Sequence, residues 1–330
     1  MTTARHIVAL LKSHIAGDED HFLTVAMQLA AHEARQGHGK LAQELRDLVD
    51  HAKEKKSATT PKRSSPVPLV QPKGELANLL TVRYSDVRLT NMVLTDETES
   101  RLRRTLLEQT QQSALRAHGL MPRRKLLLVG PPGAGKTMTA AALAGELHLP
   151  LFTVLLDGLI SKFMGDTAGK LRLVFDAMRL TRGVYLFDEF DAIGARRSSN
   201  NDVGEIRRVL NSFLQFLEQD DSDSLIIAAT NYPDLLDRAL FRRFDDVIEY
   251  SLPDAGLLER LLKARLAAFD VPRISWSSVA EAATGLSHAE AARAADEAAK
   301  TAVLGGHTKI TTQALLTAIT ERQRASTHHD

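Results

Sequence analysis

The segment Gly130-Pro131-Pro132-Gly133-Ala134-Gly135-Lys136-Thr137 fits the pattern G-x-x-x-x-G-K-[ST] without a mismatch. Each part of that pattern has a physical reason. The glycines let the backbone curl so that its N–H groups point at phosphate oxygens. A helix that follows presents its positive N-terminus to the same oxygens. Lys136 then reaches the outer phosphates of a nucleoside triphosphate, and the Thr137 hydroxyl binds Mg²⁺. The residues expected around the phosphates are Pro132, Gly133, Ala134, Gly135, Lys136, Thr137 and Met138. Further along, the apolar run Val184-Tyr185-Leu186-Phe187 ends in Asp188-Glu189. A carboxylate at a strand end beside such a loop holds Mg²⁺ through water, and Asp188 is the candidate. Glu189, one residue on, reaches an attacking water as general base. The bland alternatives are a glycine-rich turn and a surface acidic turn. The expected chemistry is hydrolysis of a nucleoside triphosphate with Mg²⁺.

Those residues need strands and helices to position them. Short β-rich runs fall at Lys125–Val129, Leu151–Leu156, Val184–Phe187, Leu225–Thr230 and Val247–Tyr250, with helical stretches such as Thr137–Leu147 and Gly169–Arg179 between them. Strand-helix alternation predicts an α/β fold, a parallel sheet covered by helices on both faces. After Pro253 the pattern is helical and rich in alanine, and Ser287 with Glu290 forms a capping box that opens a helix running through Ala299. Trp276 is expected in the core of this part. Four regions result: a helical bundle over 1–55, a flexible linker over 56–74, an α/β body over 75–252 and a small helical part over 253–330. The bundle rests on apolar residues at helical spacing, among them Ile7, Leu10, Leu11 and Ile15. The linker rests on Pro61, Pro66, Pro68 and Pro72 among Ser, Thr and Lys.

Composition narrows the classes. Net charge is +1, which gives no global electrostatic reason for binding nucleic acid or a membrane. The chain has no cysteine, which excludes disulfides and thiol catalysis and suits a reducing, cytoplasmic setting. No apolar stretch approaches the roughly 20 residues that a membrane helix needs. His32-Glu33 and His38 do not have H-E-x-x-H spacing, so a zinc-protease reading fails.

With the two phosphate-site motifs in hand, residues 80 to 320 resemble an AAA+ ATPase of the protein-remodelling type, in the subgroup of katanin and spastin. The stretch from Leu225 through Asn231 to Arg242-Arg243-Phe244-Asp245 looks like the family's second region of homology. The resemblance makes Asn231 the sensor that orients water, with a plain turn residue as the alternative. It makes Arg242 and Arg243 the arginine fingers that act on a neighbouring subunit, with a structural salt bridge as the alternative. The two are adjacent here, as in the katanin and spastin group, and the main finger is left open. Ser161-Lys162-Phe163-Met164-Gly165 resembles the first pore loop, which makes Phe163, with Met164, the grip on a threaded polypeptide; a core phenylalanine is the alternative. Arg196 to Val203 falls where a second pore loop would be. Gly285-Leu286-Ser287-His288-Ala289-Glu290 resembles the lid signature Gly-x-Ser-Gly-Ala-Asp, with His288 in place of a glycine, either touching nucleotide or facing solvent. The bundle is similar in layout to the microtubule-interacting and trafficking domains of katanin-like ATPases.

The resemblance implies a homo-oligomeric ring, a hexamer, that hydrolyses ATP with Mg²⁺ to remodel or unfold protein substrates, with the bundle recruiting substrate or partner. Two other readings stay open. One is a regulatory ATPase that switches an associated enzyme such as a separate protease. The other is a nucleic-acid motor or loader, against which the near-neutral charge and the aromatic pore loop speak.

Overall fold

The computed structural model describes residues 25–27, 29, 30 and 43, and residues 71–327 apart from 160–163, 194–201, 237, 272 and 308. The chain divides into two compact units, Met1–Leu69 and Val70–Asp330. In the first, residues 25–27, 29 and 30 are helical, and Val25, Ala26, Leu29 and Ala30 are buried. Gln43 is helical and exposed; the rest of the expected bundle, including His32, Glu33 and His38, lies outside the described residues, as does the linker up to residue 70.

The second unit is built on one six-stranded sheet, α/β in class, in the order β1-β3-β4-β5-β2-β6. The strands are β1 (Leu80–Arg83), β2 (Lys125–Val129), β3 (Leu151–Val154), β4 (Val184–Phe187), β5 (Leu225–Thr230) and β6 (Asp246–Glu249). All pairings are parallel except that of β1 with β3. Central parallel strands are covered on both faces, so they read as continuous apolar runs; β5 is buried at all six positions. The twofold alternation of a strand then sorts its side chains between two cores. Leu127, Val129, Phe152, Tyr185, Phe187, Ile226 and Ala228 face one core, whose helices are α3 (Met164–Leu180) and α4 (Asp202–Gln219). Leu126, Leu128, Leu151, Val184, Leu186, Ile227 and Ala229 face the other, under α1 (Asp96–Thr110) and α2 (Lys136–Leu147). The first core is aromatic: the Phe187 ring meets Phe213 at 5.0 Å and Phe190 at 6.4 Å, edge to face in both pairs.

After β6 the chain is helical: α5 (Ala255–Arg265), α6 (Trp276–Ala282), α7 (His288–Leu304) and α8 (Thr312–Thr327). These pack on a separate core whose α7 face is Ala291, Ala294, Ala295 and Ala298, small side chains that let α5 and α8 approach closely. The Ser287–Glu290 capping box is formed, and α7 runs five residues past Ala299.

Four local expectations change. Sequence alternation gave no β1, a four-residue edge strand with only Leu80 buried. β3 stops at Val154; the Leu155 N–H still pairs with the Leu79 carbonyl at 2.8 Å, and Leu156–Leu159 is then a short helix. Helix α3 begins at Met164, well before Gly169, a helical glycine with open space around it. Trp276 is half-buried at the rim of the helical core, with the Lys263 ammonium 5.5 Å above its ring.

One contact fixes the segment that leads into α1. Gly145, in the last turn of α2, lies under the Val87 carbonyl; a Cβ there would come within 2.1 Å of that oxygen. Arg88 donates to the Gly145 carbonyl, and the Leu89 N–H to Glu146 Oε1 at 3.1 Å. Gly145→Ala gains about 1 kcal/mol of helix propensity but forces a backbone shift, which costs about 1–3 kcal/mol. The expected result in urea unfolding is a net loss of stability. An unchanged or raised midpoint contradicts the close packing.

Candidate functional site

The strand order brings the sequence-predicted residues together. β2, β5 and β4 are neighbours, so the loops at their carboxyl ends meet. This is where ligands bind in open α/β sheets. The segment 130–135 leaves β2, Asp188 and Glu189 leave β4, and Asn231 leaves β5.

The loop after β2 curls as its glycines allow. Gly130, Gly133 and Gly135 all have positive φ, at 148°, 75° and 106°. Gly130 also needs its missing side chain, since a Cβ would sit 2.3 Å from the Tyr250 carbonyl. Helix α2 starts at Lys136, and Ala134 and Lys136 are buried while Thr137 and Met138 are exposed on its first turn. The Lys136 ammonium donates to the Gly130 carbonyl at 2.6 Å, the Pro131 carbonyl at 2.9 Å and Asn231 Oδ1 at 2.8 Å. Burial pushes its pKa below the ordinary lysine value, with the charges of Asp188 and Asp191 opposing.

The acidic pair sits directly opposite. Thr137 Oγ1 donates to Asp188 Oδ2 at 2.7 Å. A hydroxyl and a carboxylate oxygen in contact form a donor set suited to a hard divalent cation, so these two residues could hold Mg²⁺. Glu189 is exposed, has φ +50°, and its N–H is held by Asp188 Oδ1 at 3.0 Å. A left-handed conformation costs a non-glycine residue about 1–2 kcal/mol. The turn after β4 maintains it and aims the Glu189 carboxylate at solvent in the same cavity.

One organising residue carries no sequence signal. Asp191, buried, accepts from Thr230 Oγ1 at 2.9 Å and from the Asn231 N–H at 3.1 Å. It ties the end of β5 to the turn after β4 and so fixes Asn231 relative to Asp188. A lone aspartate four residues beyond an apolar strand has no distinguishing spacing.

These groups line a cavity of about 690 Å³. One end is polar, with Lys136, Thr137, Asp188, Glu189 and Asn231. The other is mostly apolar, with Met92, Val93, Leu94, Leu261, Ala264 and Ala292. The helical part closes directly on the loop: the Ala289 N–H donates to the Gly133 carbonyl at 3.1 Å, and a Cβ on Gly133 would meet Ser287 Oγ at 2.6 Å. Arg265 also lines the cavity, in a two-pronged pair with Asp296 at 2.6 and 2.7 Å.

Arg242 and Arg243 follow the short helix Arg238–Phe241, and both are exposed. Neither lines the cavity of its own chain. Arg243 pairs with Glu218 at the end of α4, whereas Arg242 has no ion pair among the described residues. Ser161, Lys162 and Phe163 lie outside the described residues, as do residues 196–201; Met164 begins α3.

A strand, a glycine loop shaped to cradle phosphate, a helix-borne Lys-Thr and a strand-end acidic pair define a P-loop nucleoside-triphosphate site. Residues 126–252 match the family described as "ATPase family associated with various cellular activities (AAA)". The chain is similar to the uncharacterized AAA family ATPase y4kL of Sinorhizobium fredii, 35% identical over 302 residues that cover 89% of each chain. It is also similar to the ATP-dependent zinc metalloprotease FtsH 1 of Methylacidiphilum infernorum, 34% identical over 68% of this chain and 36% of that protein. With the proteasome-activating nucleotidase of Thermococcus gammatolerans it shares 36% identity over 61% of this chain and 52% of that one. The chain spans about half, or less, of the length of these last two relatives. It belongs to the AAA family of ATPases.

The three contacts of Lys136 give a test of the phosphate end. Lys136→Ala removes the cation and is expected to weaken ATP binding about 10²-fold, the scale of a lost charge-assisted hydrogen bond. Calorimetric titration reads it, with a melting curve of the free protein as the control for folding. ATP affinity equal to the parent's contradicts the assignment.

Proposed function

We propose that the chain is a Mg²⁺-dependent ATP-driven motor that works as a homo-oligomeric ring, a hexamer, and remodels or unfolds protein substrates. The observation that carries this reading is an exposed arginine that lies outside the cavity of its own chain. Among the described residues the cavity holds Lys136 as its cation at the phosphate end, while Arg242 stands exposed and without an ion pair elsewhere on the same body. An arginine so presented is free to stabilise transition-state charge on a neighbouring subunit's nucleotide, which favours a homo-oligomer.

Within each site the roles follow from position. Backbone N–H groups of residues 132–137 hold phosphate oxygens, and Lys136 turns from its carbonyl partners to the outer phosphates. Thr137 and Asp188 hold Mg²⁺, which supplies charge neutralisation on the phosphates when bound. Glu189 takes the proton of the attacking water. Asn231 orients that water from the end of β5. The large ATPase subdomain, 75–252, and the lid, 253–330, move as parts of the cycle; their separate hydrophobic cores support that division. Phe163 and Met164 grip the substrate in the pore, and the bundle of residues 1–55 recruits substrate or partner through the linker 56–74. The adjacent Arg242-Arg243 pair supports the katanin and spastin-like subgroup. A cytoplasmic location belongs to the same reading, on sequence grounds. Among the described residues no helix is long and apolar enough to cross a membrane.

Two relatives are named for ATP-dependent proteolysis and for proteasome activation, which favours a polypeptide as the substrate. The same names support a second reading, in which this ATPase serves a separate protease.

The arginines can be separated by mutation. Arg243→Ala breaks a half-exposed pair with Glu218 and is expected to cost less than about 1 kcal/mol of stability, with modest loss of turnover. Arg242→Ala is expected to lower turnover about 10³-fold with ATP affinity unchanged. Mixing it with Glu189→Gln should restore some activity, since the live site of one variant then faces the intact finger of the other. Turnover per subunit that is independent of protein concentration, with no rescue on mixing, overturns the ring.

Substrate grip has its own test. Phe163→Ala should keep ATP binding and basal hydrolysis and lose stimulation by an unfolded protein. A joint fall in melting temperature and basal turnover would mark Phe163 as core, where truncation costs about 3–5 kcal/mol.

A further inference from the structure

Tyr250 follows β6 directly and is buried. It does not line the cavity, but it touches the phosphate loop at both ends. At the entry, its N–H donates to the Val129 carbonyl at 2.7 Å. Its own carbonyl lies against Gly130, the position where a Cβ has no room. At the exit, its hydroxyl is 2.6 Å from Oγ1 of Thr139, a fully buried residue in the first turn of α2. One side chain from the neighbouring strand thus spans the segment 130–135, across more than 100 residues of sequence.

The protons give this contact a direction. Thr139 has one hydroxyl proton, and its Oγ1 lies 3.1 Å from the Gly135 carbonyl, which can only accept. That proton goes to Gly135, so the Tyr250 hydroxyl donates to Thr139 Oγ1. Burial pushes the Tyr250 hydroxyl up to about 12, with the Thr139 bond opposing, so it keeps its proton in neutral solution. The relay ends on Gly135, the last of the three loop glycines with positive φ.

A loop of this kind has an entropic weakness. Glycines that permit the curl also permit many other conformations. Unless something outside the loop holds it, the ordering is charged to ligand binding. The Ala289 contact with Gly133 comes from the helical part, whereas Tyr250 reaches the loop from the sheet. We propose that Tyr250 is a positioning residue for ATP binding: with Thr139 it holds the phosphate loop in its curled form before the nucleotide arrives. The inference rests on the reading of this cavity as the ATP site and adds the group that preorganises its phosphate end.

The test is a double-mutant cycle of Tyr250→Phe and Thr139→Val, with Thr139→Ser as the conservative variant. Each protein is titrated with ATP and with inorganic tripolyphosphate. Tyr250→Phe is expected to bind both about 3–10-fold more weakly and by the same factor, the scale of one hydrogen bond. Turnover at saturating ATP should fall by less than the affinity does. Thr139→Ser keeps the hydroxyl and should bind ATP within about twofold of the parent. The double variant should bind no more weakly than Thr139→Val alone, because both changes remove the same bond. Amide hydrogen exchange of residues 130–137 should be faster in free Tyr250→Phe than in the parent, and the difference should vanish with saturating ATP. A lowered melting temperature with both affinities unchanged would mark a purely structural role and overturn the proposal. A loss confined to ATP would place the effect at the nucleoside end and overturn it too. So would losses that multiply in the double variant, or faster exchange spread over the whole sheet. Failure of the parent protein to bind either ATP or tripolyphosphate sinks the underlying site reading instead.

Discussion

The Lys136 ammonium shares its three hydrogen bonds among the Gly130 and Pro131 carbonyls and Asn231 Oδ1. The rest of the active end is arranged around this buried cation. A lysine taken out of water must be paired or hydrogen-bonded, and here every donor is used. Two acceptors come from the loop that the lysine itself terminates, and the third comes from the end of β5. That third contact is possible only because β5 lies next to β2, although they are far apart in sequence. The crossover order of the sheet is thus the condition for the site. Carbonyl oxygens and an amide are neutral acceptors, weaker for a cation than phosphate oxygens. The ammonium is held in readiness by partners that an anion outcompetes.

The acidic side of the cavity is organised in the same way, through backbone and short side chains. Asp188 fixes Thr137 with one oxygen and the Glu189 N–H with the other. Asp191 fixes the end of β5. Of these acidic residues only Glu189 is exposed, and it is held in a left-handed conformation. Strain of that kind persists where surrounding contacts over-determine it, and it gathers at functional sites. The apolar end follows another logic, with helical packing on α7 bringing its first turn onto the phosphate loop.

Much of this was legible because chemistry at the phosphate end imposes fixed spacings. The Gly130–Thr137 pattern and the Asp188-Glu189 pair, each beside an apolar run, located β2 and β4, and the apolar run before Asn231 located β5. Buried parallel strands read as unbroken apolar stretches, and β2, β4 and β5 have the expected bounds. What stayed hidden depends on tertiary contact. β1 is short, pairs antiparallel at the edge and carries Thr81 and Arg83, so it has no buried run to read. Asp191 acts across 39 and 40 residues of sequence. His288 stood equally for a ligand contact or a solvated residue; in the fold it is half-buried and lines the cavity. The unequal surroundings of Arg242 and Arg243 likewise follow from the place of Glu218 in the last turn of α4.

The proposed hydrolysis takes place at the carboxyl ends of β2, β4 and β5, with Glu189 proposed to act on water and not on binding. Its most direct measurement is the Glu189→Gln variant, with ATP affinity and steady-state turnover determined on one preparation. Removing the base while keeping shape should leave ATP affinity within about twofold and lower turnover by about 10² or more. Turnover at the parent's rate, or a parallel loss of binding and hydrolysis, would contradict the account.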